Sequence, residues 1–218
     1  MKNTLVIGAH GHVGVQLVEK LGQDNHQVFA GVRSEKQFDE YADMKNVNPV
    51  LFDLTALPEE MAEVYRQRAI DEVVFSAGSG GATGDDQTLI IDLDGAIKSM
   101  EAAKIAGVKR YVMVSAMGAD DRKFWPESGL HGYYIAKHYA DEHLRHSDLD
   151  FTIVRPSALT NDAETSKVDV VEKRGSDMSI PRADVANFVM NVLDHDDSIN
   201  KVYEITAGDH DIVDAFEN

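Results

Sequence analysis

Cysteine is absent from the 218 residues, which excludes disulfides and thiolate metal sites. Cations are scarce, with 21 Lys and Arg against 38 Asp and Glu and a formal charge of −17. Such a surface repels phosphate backbones, and argues against nucleic acid and anionic membranes as partners. It also sets a condition: a site for an anionic ligand must be locally basic or built from backbone N–H groups. No apolar run is long enough to cross a bilayer. The chain enters its first strand at once, so no signal peptide is readable and a soluble cytoplasmic protein is expected. Repeats, low-complexity tracts and linkers are missing too, and 43% hydrophobic residues suffice for one domain with a good-sized core.

Metal-site spacing is also lacking. The chain has nine histidines but no H-E-x-x-H. His143 and His146 lie three apart on a helical stretch, and His195 and His210 sit among aspartates. Solvated polar faces account for them, and no metal site is expected.

What is present is concentrated at the start. Thr4-Leu5-Val6-Ile7 is an apolar run of strand length, broken by Gly8-Ala9-His10-Gly11-His12-Val13-Gly14, after which Val15, Leu17, Val18 and Leu21 recur at helical spacing. Strand, glycine turn and helix make the first half of a βαβ unit. Free N–H groups at the helix N-terminus, helped by the helix dipole, favour negative charge above the strand. Gly8 suits a positive φ, while Gly11 and Gly14 would let backbone and helix approach a pyrophosphate closely. His10 and His12 lie within reach of phosphate inside this turn, or simply fill permissive positions. The motif is G-x-x-G-x-x-G rather than G-x-G-x-x-G. In that spacing the chain resembles the short-chain dehydrogenase/reductase superfamily, in its extended and atypical branches.

Gln27 to Val32 reads as a second strand. An acidic residue about 20 positions past the glycines binds the ribose 2′-OH in folds that prefer NAD. Val32 and Arg33 stand there instead, with Lys36 close by. A guanidinium at this place favours the 2′-phosphate of NADP, with NAD as the alternative. Pro49 to Phe52 is a third strand ending at Asp53-Leu54. Asp53 alone reads equally as a cap for the next helix, which runs from Glu59 to Arg68. The family resemblance places Asp53 and Leu54 beside the adenine ring. Glu72 to Phe75 is the fourth strand, entering Ser76-Ala77-Gly78-Ser79-Gly80-Gly81. Small residues there leave room for a cofactor ribose or phosphate over the sheet edge, at Ala77 and Gly78, although Gly78 to Gly84 also reads as a mobile loop. Thr88 to Ala106 is a long helix closed by Gly107, and Tyr111 to Val114 is a fifth strand ending at Ser115. This alternation predicts an α/β fold, a doubly wound parallel sheet of Rossmann type.

Tyr133 and Lys137 stand four apart on the next helix, on one face and a turn apart. A phenol titrating near 10 is a poor acid–base group at neutral pH, and a nearby ammonium stabilises its phenolate. Ser115, at the end of the neighbouring strand, would polarise a substrate carbonyl to which Tyr133 gives or takes the proton. Tyr134 rivals Tyr133 at i,i+3 from the lysine. Trp125 and Phe124, in the stretch Gly118 to Leu130, read as a substrate lid or as a loop anchor.

Ser115, Tyr133 and Lys137 resemble the Ser, Tyr-x-x-x-Lys set of short-chain dehydrogenases, in which the lysine also holds the nicotinamide ribose. Phe151 to Thr160 and Ile180 to Ala186 resemble the strand-to-loop and late-helix signatures of atypical members. There, the loop after the Arg-Pro pair passes over the nicotinamide, which implies roles for Pro156 and Ser157. Thr165 to Ser179 is mixed, with Val168, Val170 and Val171 suggesting an extended piece near the substrate side. Arg182 to Leu193 is helical and Val202 to Thr206 is a last strand. The large C-terminal lobe with which extended members bind nucleotide sugars is largely missing, leaving a minimal C-terminal substrate portion.

The resemblance implies an oxidoreductase moving hydride between NADP(H) and a small carbonyl, quinone or flavin-like acceptor. Two alternatives stand beside it: an NmrA-like sensor that binds the dinucleotide without turnover, and epimerase or dehydratase chemistry on the same scaffold. A small-molecule substrate is expected, and a homodimer is left open.

Overall fold

The computed structural model describes residues 1–24, 26–80 and 83–216. Its elements are β1 (Asn3–Ile7), α1 (His12–Gln23), β2 (Gln27–Val32), β3 (Val47–Leu51), α2 (Pro58–Gln67), β4 (Glu72–Phe75), α3 (Asp85–Thr88), α4 (Ala96–Ala106), β5 (Arg110–Val114) and α5 (His131–Arg145). There follow β6 (Asp150–Pro156), β7 (Ala158–Thr160), β8 (Lys167–Val170), β9 (Ser179–Pro181), α6 (Arg182–Asp194) and β10 (Lys201–Asp211).

The main sheet runs β3-β2-β1-β4-β5-β6-β10-β8, with β7 and β9 paired apart from it. From β3 to β10 every neighbour is parallel. The chain therefore forms a doubly wound Rossmann fold, whose strand order reverses between β1 and β4. A crevice opens there at the carboxyl ends of the strands. The expectation of a wholly parallel sheet needs one correction: β8 lies antiparallel to β10 at the edge. No helix precedes β8, so it falls outside the strand–helix rhythm that makes neighbours parallel.

Side chains alternate across the sheet with the strand period of two. Val6, Val74, Val112 and Val154 pack with Leu17, Val18, Phe188 and Val192 of α1 and α6. Leu5, Ile7, Val73, Phe75, Tyr111 and Ile153 meet Met61, Tyr65, Met100 and Leu144 of α2, α4 and α5. Burial on both faces is why the central strands read as unbroken apolar runs. The long fourth-strand helix differs from expectation: α3 opens it at Asp85, and Leu89–Gly95 forms a π-helical stretch before α4. Such widened turns tend to occur at functional sites. Here the turn carries Asp92, which is buried.

Candidate active site

The nucleotide end of the crevice is built by the first turn of α1. Gly8 has φ +82, and a Cβ there would lie 2.5 Å from the Ala77 backbone. A Cβ on Gly14 would come within 2.3 Å of the Gly8 carbonyl oxygen. The glycines thus seat α1 directly against the β1 turn. The Gly11 N–H donates to the Gly8 carbonyl at 3.0 Å, and the Val15 N–H to the Gly11 carbonyl at 2.9 Å. The amides of His12, Val13 and Gly14 have no acceptor inside the helix. Gly11 caps without a side chain, and the first turn contains no acid. Despite the surplus of carboxylates on the chain, this helix end offers bare N–H groups to an anion.

The start of this helix borders a cleft of about 1180 Å³ lined by Gly11, His12, Val13, the Ser76–Gly80 stretch, Ser115, Tyr133, Lys137, Pro156 and Ser157. Ala77, Gly78, Pro156 and Ser157 line this cleft. Residues 81 and 82 of the small-residue stretch lie outside the described residues. The uncapped helix end, the tight glycine turn and a cleft of this size fit a dinucleotide.

Six of the expected cofactor residues lie outside the lining of this cleft: Gly8 and Gly14, which shape the turn, and His10, Arg33, Asp53 and Leu54. His10 is exposed and pairs with Glu40 at 2.5 Å, away from the cleft lining. Arg33 follows β2, exposed, with no carboxylate partner among the described residues. Asp53 accepts from the Thr55 hydroxyl (2.7 Å) and N–H (2.8 Å). Those bonds lower its carboxyl below the ordinary value. It closes a turn ahead of α2 instead of capping it. Leu54 packs into the α2–α4 core, and a Cβ on Gly95 of the π-helical stretch would lie 3.0 Å from it.

At the reacting end, Tyr133 lines the cleft half-buried, and its hydroxyl has no hydrogen-bond partner among the described residues. Lys137 is 2% exposed and donates to the Val114 carbonyl at 3.0 Å. The expected stabilisation of a phenolate is not realised in this arrangement. Burial first, then the Asp92 carboxylate, then Tyr134 and Asp141 push Tyr133 above its ordinary value. Tyr133 therefore keeps its proton at neutral pH. Asp92 itself accepts the Ser79 N–H at 2.9 Å, tying the loop after β4 to the π-helical turn.

Ser115 also differs from expectation. Its hydroxyl donates to Asp141 Oδ2 at 2.8 Å, inside the protein. Arg155 Nε donates to the same oxygen at 2.9 Å and Nη1 to Asp120 Oδ2 at 2.7 Å. Arg145 completes the ion-pair chain at Asp120 (2.7 Å). Against the pull of burial, Asp120 and Asp141 hold the Arg155 guanidinium charged. A buried polar network thus lies directly beneath the strand ends. Asp141 was missed in sequence reading, although its place four residues past Lys137 on one helix face was a usable signal. An acid within the apolar run Leu89-Ile90-Ile91 to Leu93 was the corresponding signal for Asp92.

Beyond Tyr133, the stretch Gly118 to Leu130 divides its two aromatics between the two suggested roles. Trp125 is 3% exposed, and its indole N–H donates to the Gly118 carbonyl at 3.0 Å, which makes it the loop anchor. Phe124 lines the cleft, edge-on to Tyr134 at 5.1 Å. The guanidinium of Arg174 lies 3.6 Å over the Phe124 ring. Of the valines expected near the substrate side, Val168 and Val170 lie in β8 at the sheet edge and Val171 follows it, and it is Arg174, Gly175, Asp177 and Met178 that reach the cleft.

The histidines are mostly tied to neighbours. His210 pairs with Asp169, His195 bonds the Asn191 carbonyl, and His143 and His146 line a shallow groove on the outer face of α4 and α5. Asp24, His26 and Asp194 bring potential ligand atoms within 4.8 Å of one another. His26 is held by Thr4 (2.9 Å) and Glu72 (3.3 Å) at the far ends of the strands from the cleft.

Fold and crevice together define a nucleotide-cofactor protein of the Rossmann class. The model of a family described as NAD(P)H-binding matches residues 8–196, and the chain belongs to that family. It is 44% identical over 216 residues to the "Uncharacterized sugar epimerase YhfK" of Bacillus subtilis (strain 168), covering 97% of each. Among solved structures it resembles a "Putative NAD-dependent epimerase/dehydratase from Bacillus halodurans", with TM-score 0.92 and 37% identity over 100% of this chain and 99% of that one. It also resembles the "oxidoreductase ylbE from Lactococcus lactis", with TM-score 0.89 and 33% identity over 99% and 95%. The chain is thus an NAD(P)-binding member of the atypical short-chain dehydrogenase and epimerase-like proteins. No helix among the described residues is long and apolar enough to cross a membrane.

Proposed function

We propose that this protein is a cytoplasmic NADP(H)-dependent oxidoreductase that reduces a small-molecule carbonyl or quinone. Bound over the α1 amides, the dinucleotide would supply a hydride. The chain supplies the rest. Bare amides of His12, Val13 and Gly14 receive the pyrophosphate, Arg33 reads the 2′-phosphate, and Lys137 steadies the nicotinamide ribose. Tyr133, kept protonated by burial and by Asp92, hands its proton to the carbonyl oxygen as hydride reaches the carbon, so that C=O becomes CH–OH. The relative named as an oxidoreductase supports a redox reaction.

One observation carries the reading: Tyr133 lines the cleft with its hydroxyl unpartnered among the described residues, one helical turn from a buried lysine. Tyr133→Phe should cut NADPH oxidation with a carbonyl and quinone panel by about a hundredfold or more, while NADPH affinity holds. Unchanged turnover removes Tyr133 from the mechanism. A second reading draws on Ser115, whose proton is committed to Asp141. With that donor turned inward, a cofactor-binding sensor without turnover fits the same cleft. NADPH binding by the wild type with no panel member consumed would select it.

A further inference from the structure

The cleft continues past Tyr133 into a distal end walled by Phe124, Leu130, Tyr134, Leu159 and Met178. Two guanidiniums stand at that end. Arg174 lies flat over Phe124, and Arg182 donates to Asn161 Oδ1 at 2.8 Å. Neither has a carboxylate within ion-pair distance among the described residues, although the chain carries 38 acids against 21 bases. Asp177, exposed at the same rim, pairs with neither. The lining contains no asparagine or glutamine, the amides that could pair with the many hydroxyls of a sugar. The distal wall is aromatic and aliphatic, and Arg174 and Arg182 outnumber its one carboxylate, Asp177.

We infer that the substrate is an aromatic or conjugated carbonyl compound bearing a carboxylate, its ring against the Phe124–Tyr134 wall and its acid group on Arg174 and Arg182. This rests on the hydride-transfer reading and names the substrate class for it. A guanidinium matches a carboxylate with two parallel N–H···O bonds, and stacking on an aromatic face pre-orients it for the purpose.

The test compares 4-carboxybenzaldehyde with its neutral ester, methyl 4-formylbenzoate, in NADPH oxidation by the full chain. The ratio of kcat/KM, acid over ester, should be about tenfold or more in the wild type. It should fall toward one in Arg174→Gln/Arg182→Gln. A wild-type ratio near one, or a ratio untouched by the double substitution, overturns the inference and leaves the oxidoreductase reading intact. Where neither aldehyde is reduced, calorimetric titration of terephthalate into the NADP-saturated protein reads the anion site alone. Heat that disappears in the double variant supports the site while the hydride reading falls. No heat in the wild type, or equal heat in both, overturns the site.

Discussion

Asp141→Ala removes the hub of the network under the strand ends, and its cost follows from the geometry. One Asp141 oxygen accepts from Ser115 (2.8 Å) and Arg155 Nε (2.9 Å). Asp141 is 0% and Arg155 2% exposed, so solvent does little to screen the pair. Breaking a buried pair from one side typically costs about 3–5 kcal/mol, because the surviving charge stays desolvated. Arg155 keeps Asp120 at 2.7 Å and Glu204 at 3.5 Å, which places the expected loss at the lower end, about 3 kcal/mol. For a chain of this length, that lowers Tm by about 6–12 °C. Urea unfolding with an unchanged m value is the assay. Asp141→Leu/Arg155→Met, which removes both charges and refills the space, should lose less than the single variant. A single-variant loss under about 1 kcal/mol, or a double variant less stable than the single, would refute the claim that the buried charge sets the cost.

Two other outcomes are expected. Arg33→Ala should weaken NADPH by about ten- to a hundredfold and leave NADH nearly unaffected in fluorescence titration; equal losses would take Arg33 away from the 2′-phosphate. At the opposite strand ends, the Glu72 hydrogen bond raises His26 above its ordinary 6.5, although burial opposes it. Hydrogen bonds from His26 and Thr4, and Lys2 nearby, hold Glu72 below its ordinary 4.5 against burial. The His26 contribution is therefore complete below pH 6.5 and fades as pH rises through the folded value, while that of Glu72 is lost as pH falls below 4.5. His26→Gln should destabilise more at mildly acidic pH than at alkaline pH, and a loss independent of pH would show that His26 acts uncharged.

The Rossmann architecture was legible because its signals are local. Apolar runs of strand length alternate with helical periodicity, and the Gly8–Gly14 turn marks which strand comes first in the crevice. Tyr133 and Lys137 were legible for the same reason, since one helix fixes their separation. The direction of the Ser115 hydroxyl was not. It depends on Asp141 from α5 and Arg155 from β6 meeting under β5, a contact between elements that no periodicity encodes. Trp125 illustrates the same limit, because lid and anchor differ only in whether the indole N–H finds the Gly118 carbonyl. The π-helical turn around Asp92 was hidden as well, because its residues keep an ordinary helical composition and the extra residue per turn leaves no mark in the sequence.

The charge pattern along the cleft ties these features together. A chain at −17 repels an anionic cofactor at long range, so whatever attracts one must act at contact distance. The first turn of α1 does so with amides and no acid, and Arg33 stands at the end of β2 with no carboxylate partner among the described residues. Farther along, Arg174 and Arg182 face the cleft without carboxylate partners. The buried acid of the lining, Asp92, adds to burial in opposing a phenolate at Tyr133, so the neutral phenol is its resting form. A resting phenolate would need the reverse arrangement, with the Lys137 ammonium at the phenol and no carboxylate beside it. The positions of Asp92 and Lys137 thus leave Tyr133 a neutral phenol at rest, with the Lys137 ammonium turned to the Val114 carbonyl.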